Sequence, residues 1–363
     1  MRHRLATDPR AAVAFLVPGD PETRTGGFVY DRRIVAGLEA AGRPVALVRL
    51  ADGFPAADDG AFDRFARSLD GLADGTVTVI DGLAFGVAPA LARRHARRLV
   101  LVALVHHPLA LETGLDAASQ AALAACEREA LAQATRVIAT SPLTARLLAG
   151  DYAVPRDRLG VVPPGTDPAP PAGGSGSGSP MLLCVGTLTP RKGHRVLVEA
   201  LAQIRHLPWR LACAGSLERD PATAAAVAAQ VRDLGLNDRI ALLGEADDAR
   251  LHTLYDQADI FVLASHFEGF GMVFTEAIAR GLPIVATAGG ATGLTVPAEA
   301  GMLVPPGDSG ALGDALAAVL QDAGLRDRLR AGAGAARLGL ATWDTAAAAF
   351  ARQLDIAAAA PSV

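Results

Sequence analysis

Cysteine is scarce in this chain of 363 residues: Cys126, Cys184 and Cys213 stand far apart, with no CxxC pair. That excludes a disulfide framework and a zinc site, and suits a reduced, cytoplasmic protein. Long apolar runs are missing too. The best, Leu99–Val105, falls far short of the ~18 residues that span a bilayer. Arg2, Arg4 and Arg10 ahead of Ala11–Val17 imitate a leader peptide. The apolar part is short and runs into Pro18-Gly19-Asp20 with no small-residue cleavage pattern, so a first β-strand is the better reading. No charge sign dominates. A net charge of −4 argues against wholesale nucleic-acid binding, and 51 % apolar residues exclude a disordered chain. Ligand motifs are absent as well. No Asp-x-Asp occurs among the 27 aspartates, and no His/Glu cluster has metal-ligand spacing. Neither a GxGxxG at a strand–helix junction nor a GxxxxGK[ST] is present, which weakens the dinucleotide and P-loop readings.

Lysine is the most telling shortage. The chain has 33 arginines and one lysine, Lys192. Where a basic residue need only be basic, arginine is used, so the surviving compact ammonium is a candidate for chemistry.

What is present is a recurrence of short aliphatic runs. In the first half they are Val13–Val17, Val45–Leu50, Thr76–Ile80, Leu99–Val105, Arg136–Ala139 and Leu159–Val162. In the second they are Met181–Val185, Arg210–Ala214, Arg239–Leu243, Asp259–Leu263, Pro283–Ala286 and Met302–Val304. Such runs suit parallel strands covered on both faces. Helical stretches lie between them, including Asp31–Ala41, Ala117–Gln133, Arg195–Ile204 and Ala222–Leu234. The alternation implies an α/β protein of two doubly wound, Rossmann-like domains. The expected boundaries are 1–167, a Pro/Gly/Ser linker at 168–180, 181–342, and a final helix at 343–363 that would cover a seam between the domains.

Ligands of doubly wound sheets bind beyond the carboxyl ends of strands, against helix N-termini. Three strand-end loops stand out. Gly186-Thr187-Leu188-Thr189-Pro190-Arg191-Lys192-Gly193 joins a tight glycine exit to two adjacent cations, which suits a diphosphate. In His266-Phe267-Glu268-Gly269-Phe270-Gly271-Met272 the glycines let backbone approach a ligand. Glu268 in that loop and Glu276 on the following helix are carboxylates able to accept from sugar diols. Thr287-Ala288-Gly289-Gly290, like Thr25-Gly26-Gly27 in the first half, can present amides to an anion. His106 and His107 end the longest apolar run, with Glu112 close behind; one histidine at a cleft mouth could bond a substrate hydroxyl.

These blocks resemble the retaining glycosyltransferases of the GT-B fold, family 4, the group 1 transferases. The resemblance runs through Pro18, Gly19, Gly26 and Gly27, through VVPPGTD (Val161–Asp167), VGTLTPRKG, and EGFGMVFTEAIARGLPIVATAGG from Glu268 to Gly290. It implies two domains facing across a cleft, an N-terminal acceptor domain and a C-terminal donor domain. It also implies a UDP- or GDP-sugar co-substrate, no obligatory metal or other cofactor, and retention at the anomeric carbon. Carried across, Arg191 and Lys192 hold the donor diphosphate, Glu268 contacts the donor sugar and Glu276 the ribose. Phe270, Gly271 and Met272 lie at the phosphates and sugar, with Gly186, Thr187, Gly26, Gly27 and Gly290 in the surrounding loops. His106 matches the family's active-site histidine. Many members have arginine where this chain has Thr187, and the lost charge is assigned to Arg191. His107 and Glu112 are the acceptor-side candidates, with the acceptor itself unidentified. The alternatives are a nucleotide-sugar epimerase of the same fold, a sugar phosphorylase, or a binding module without catalysis. The basic run Arg93-Arg94-His95-Ala96-Arg97-Arg98 is read as a solvated face rather than a peripheral membrane contact, since no aromatic anchors flank it.

Overall fold

In a computed structural model, which describes residues 13–360, all twelve aliphatic runs are strands, each within a residue of its expected bounds. Arg2, Arg4 and Arg10 lie outside the described residues. The chain forms two compact units, 1–165 with 341–363, and 166–340.

The first unit carries β1 (Val13–Pro18), β2 (Val45–Leu50), β3 (Val77–Asp81), β4 (Val100–Val105), β5 (Arg136–Ala139) and β6 (Leu159–Val161). They form one parallel sheet in the order β2-β1-β3-β4-β5-β6. Alternate residues of each strand enter different cores: Val13, Phe15 and Val17 pack on one face, Ala14 and Leu16 on the other. That two-sided burial is why the strands read as unbroken apolar runs.

The last helix, Trp343–Ala359, has its buried stripe of Ala346, Phe350, Leu354 and Ala357 in the same core as Phe15 and Ile34. Its spacing is that of one helical face. The helix expected to cover a seam between domains thus packs on the sheet of the first unit. Burying a side chain such as Phe350 contributes roughly 1.5–3 kcal/mol.

The second unit carries β7 (Met181–Val185), β8 (Arg210–Ala214), β9 (Ile240–Leu242), β10 (Ile260–Leu263), β11 (Ile284–Thr287) and β12 (Gly301–Val304), in the parallel order β12-β11-β10-β7-β8-β9. The Gly/Ser-rich run lies along this unit. The Ala172 amide donates to the Arg280 carbonyl at 2.8 Å, that of Gly173 to Asp256 Oδ1 at 3.1 Å, and that of Ser175 to Asp259 Oδ1 at 3.3 Å. A stretch whose composition suggests a flexible tether is held because two aspartates accept from its bare amides.

One helix starts earlier than expected. It spans Gly26–Ala40, so Gly26 and Gly27 form its first turn rather than a loop before it. Paired glycines argue against a helix on propensity alone, and here tertiary packing overrides that cost.

Candidate functional site

In each sheet the winding direction reverses once, between β1 and β3 in the first unit and between β7 and β10 in the second. Ligand crevices form at such points. The loops leaving β7 and β10 carry most of the residues singled out from sequence, and the structure brings Arg191, Lys192 and Glu268 of these loops together.

In the second unit Lys192 Nζ lies 2.6 Å from Glu268 Oε1, and Arg191 Nη1 lies 3.7 Å from Glu268 Oε2. Arg191 also donates to the Phe267 carbonyl at 2.9 Å, and Ser265 Oγ donates to Glu268 Oε1 at 2.5 Å. Burial would raise the Glu268 pKa, but the two cations outweigh it and hold the carboxyl below its usual range. The result is an ionised, buried carboxylate between two cations, with one positive charge left over. The Lys192 stem passes over Gly186, where a Cβ would stand 3.4 Å from Lys192 Cδ, so a bare glycine lets the ammonium reach inward. Thr187 continues that loop toward the short turn Pro190–Lys192, which carries the two cations. Gly290 has a φ of +61°, and a Cβ there would strike the Glu268 backbone. Only glycine allows the two loops to pack so closely.

Glu276, in the second turn of the helix Met272–Ala279, accepts from Tyr255 Oη at 2.8 Å through Oε2. Burial raises its pKa. Phe270 and Gly271 lead into this helix, and the Phe270 carbonyl is anchored by Thr295 Oγ1 at 2.6 Å.

Among the described residues, eight of the eleven helices with eight or more residues have an N-cap aspartate, serine or threonine accepting from the first turn. The three without one begin at Gly26, His194 and Met272, the last two directly behind the loops Gly186–Gly193 and His266–Met272 and the first within Thr25-Gly26-Gly27; the short helix behind Thr287–Gly290 starts at Thr292. The first-turn amides of those three are open to an anionic ligand.

In the first unit His106 follows β4, with its backbone carbonyl accepting from Thr140 Oγ1 at 3.1 Å. Its Nε2 lies 3.2 Å from Asp31 Oδ1 and 3.2 Å from Asp81 Oδ2. Both carboxylates are buried. A Cβ on Gly27 would stand 3.3 Å from His106 Cδ2, so this glycine makes room for the ring. His107 turns elsewhere, with Nε2 3.5 Å from Glu112 Oε2, so those two acceptor-side candidates meet. The loop is pinned from below by buried Glu127, whose Oε2 accepts from the Leu109 amide at 2.9 Å. Burial pushes that carboxyl up to about 7.

The glycosyl transferases group 1 model matches residues 167–335, and the glycosyltransferase family 4 model matches residues 28–170. The chain belongs to the family 4, group 1 glycosyltransferases. It is 35 % identical over 255 residues to a D-inositol 3-phosphate glycosyltransferase of Xylanimonas cellulosilytica, covering 64 % of this chain and 59 % of that one. It therefore spans less than two thirds of that relative's length. Its fold is that of the sucrose-phosphate synthase of Thermosynechococcus elongatus, with a TM-score of 0.80 at 23 % identity over 94 % of this chain and 97 % of that one. Anabaena HepE in complex with UDP-glucose gives a TM-score of 0.73 at 20 % identity, covering 94 % and 99 %. Two six-stranded Rossmann-like sheets and these likenesses make the fold GT-B.

Several features of this family 4 member escape a reading by sequence spacing. Asp81 ends β3 and caps the next turn by accepting from the Leu83 amide at 2.8 Å. Asp31 sits inside a helix, where only its buried face betrays it. Tyr255 and Ser265 reach the two glutamates from other elements. Cys184 and Cys213 stand side by side on β7 and β8, with His194 Nε2 3.7 Å from Cys184 Sγ. These three buried donor atoms converge within 4.8 Å although their spacing along the chain shows no motif. The basic run is largely ion-paired: Arg93 with Glu129, Arg94 with Asp70 at 2.8 Å and Arg98 with Asp74 at 3.0 Å. Among the described residues no helix is long and apolar enough to cross a membrane.

Proposed function

We propose that the chain moves a hexose from a nucleotide-diphospho-sugar to an acceptor hydroxyl with retention, and without an obligatory metal. The observation that carries this reading is the Arg191–Lys192–Glu268 cluster beside the uncapped helix starts at His194 and Met272. Breaking the sugar–phosphate bond leaves negative charge on the departing diphosphate. Lys192, Arg191 and the open amides would stabilise that charge where it develops, in a partly desolvated site. Glu276 would take the ribose diol through Oε1 while Tyr255 steadies Oε2. Glu268 would position the transferred sugar, releasing Lys192 to the diphosphate as donor enters. His106 would bond a sugar oxygen, and His107 with Glu112 would face the acceptor.

A uridine donor is favoured by the UDP-glucose held in the HepE structure. The names of the inositol 3-phosphate transferase and the sucrose-phosphate synthase favour a small phosphorylated polyol or sugar on the acceptor side. The deciding experiment titrates UDP-, GDP- and ADP-sugars by calorimetry, then identifies products by mass spectrometry from phosphorylated polyol and sugar pools, with and without EDTA. Turnover abolished by EDTA and restored by a divalent ion would overturn the metal-free part. Conversion of the free donor without acceptor would make the protein an epimerase, and dependence on orthophosphate a phosphorylase.

A further inference from the structure

Two buried carboxylates meet one imidazole in the first unit. Neither oxygen of Asp31 makes a hydrogen bond of ordinary geometry, and neither does His106 Nε2. The ring nitrogen stands equally close to both acids and is aligned with neither, so a single N–H is shared. We propose that Asp31 and Asp81 are positioning residues that hold the His106 ring with Nε2–H turned inward, leaving Nδ1 to face the ligand as a proton donor and not as a base. The proposal rests on the transferase reading only for the identity of that ligand, a sugar oxygen.

A buried carboxylate needs a positive partner, and two facing each other need it more. Removing the proton from His106 would leave Asp31 and Asp81 opposed with no cation between them. Burial by itself would lower the His106 pKa; the Asp31 and Asp81 charges overcome that and push it up to about 10. Burial and the Asp81 charge raise Asp31 to about 6, which leaves it ionised near neutrality. The ring cannot swing away. Tyr30 packs edge-on against it, with centroids 5.4 Å apart, and is itself fixed by donating from its hydroxyl to the Val162 carbonyl at 2.9 Å. Among the described residues the groups facing the ring are Asp31 and Tyr30 from the helix Gly26–Ala40 and Asp81 from the end of β3. Thr140 and Thr144 reach only the His106 carbonyl, and Arg33 lies over Trp343. The His106 side chain is 19 % exposed, whereas both acids are sealed beneath it. Whatever touches this cluster meets the imidazole and not the carboxylates.

The test needs no substrate. In protein with 15N-labelled histidines, the His106 ring signals are assigned by their loss in His106→Gln and followed from pH 6 to pH 9. Both ring nitrogens should stay protonated across that range in the wild type. In Asp31→Asn the midpoint should drop by at least one pH unit. Asp81→Asn repeats the test if Asp31→Asn fails to fold, and the wild-type spectrum decides by itself whether the ring is an imidazolium. With a donor in hand, kcat of Asp31→Asn should fall on the alkaline side at the same midpoint while KM changes little, a split that a packing defect would not produce. A neutral ring at pH 7.5 in the wild type, or an unchanged midpoint in both variants, would overturn the proposal. So would selective broadening of the His106 signals by micromolar Mn2+, which would make the cluster a cation site. If no donor turns over while the ring behaves as described, the transferase reading fails and the clamp stands.

Discussion

The two units place opposite charge patterns at equivalent points of related sheets. In the second, a carboxylate (Glu268) sits between two cations and one positive charge remains. In the first, an imidazole (His106) sits between two carboxylates and, once protonated, one negative charge remains. Strand order decides where a site can form, and the side chains at that point decide its sign. A surplus positive charge beside open helix amides suits a diphosphate. A surplus negative charge buried under a single donor suits an uncharged sugar oxygen.

The comparison breaks most readily at Lys192. Lys192→Ala should lower kcat/KM roughly 100-fold or more, about 2.8 kcal/mol, with the melting transition retained. Lys192→Arg should restore only part, because a planar guanidinium does not fit the narrow approach over Gly186. Near-normal activity in Lys192→Ala would remove the positive site altogether.

The glutamates sharpen it. Glu276→Gln should weaken UDP binding by about 1–3 kcal/mol in a calorimetric titration. Glu268→Gln should cut turnover steeply while UDP binds as well as before or better, since Lys192 loses its competing partner at 2.6 Å. Equal losses of UDP affinity would erase the division of labour between the two acids.

The smallest effect lies under the first-unit loop. Glu127 is raised by burial from 4.5 to about 7, so the folded state favours its protonated form. That contribution is whole below pH ~4.5 and is lost as pH rises through ~7. Glu127→Gln cannot ionise, so its stability relative to wild type should improve between pH 5 and pH 8 by on the order of 1 kcal/mol in urea melts. A difference that stays flat with pH would show that the carboxyl is not strained by burial.

The strands were legible because burial on both faces leaves no polar alternation to confuse the reading. The donor-side cluster was legible because its residues fall in two short loops, and because a lone lysine among 33 arginines is conspicuous. The negative cluster was not. Asp31, Asp81 and His106 come from a helix, a strand end and a loop, and their meeting depends on β1, β3 and β4 lying side by side. The helix start at Gly26 was hidden for a related reason, since Gly27 makes room for a ring that arrives from 79 residues further along the chain. The thiol pair follows the same rule: Cys184 and Cys213 meet only through the register of β7 with β8.

The helix Trp343–Ala359 gives the first unit a beginning and an end separated by the whole of the second. On the ribosome, the sheet of β1 to β6 emerges long before Phe350 and Leu354 exist to cover Phe15 and Ile34. The second unit, continuous from residue 166 to 340, can complete its core first. The earlier-made half must wait with an apolar face uncovered, and an exposed face of that kind is what chaperones bind and aggregates grow from.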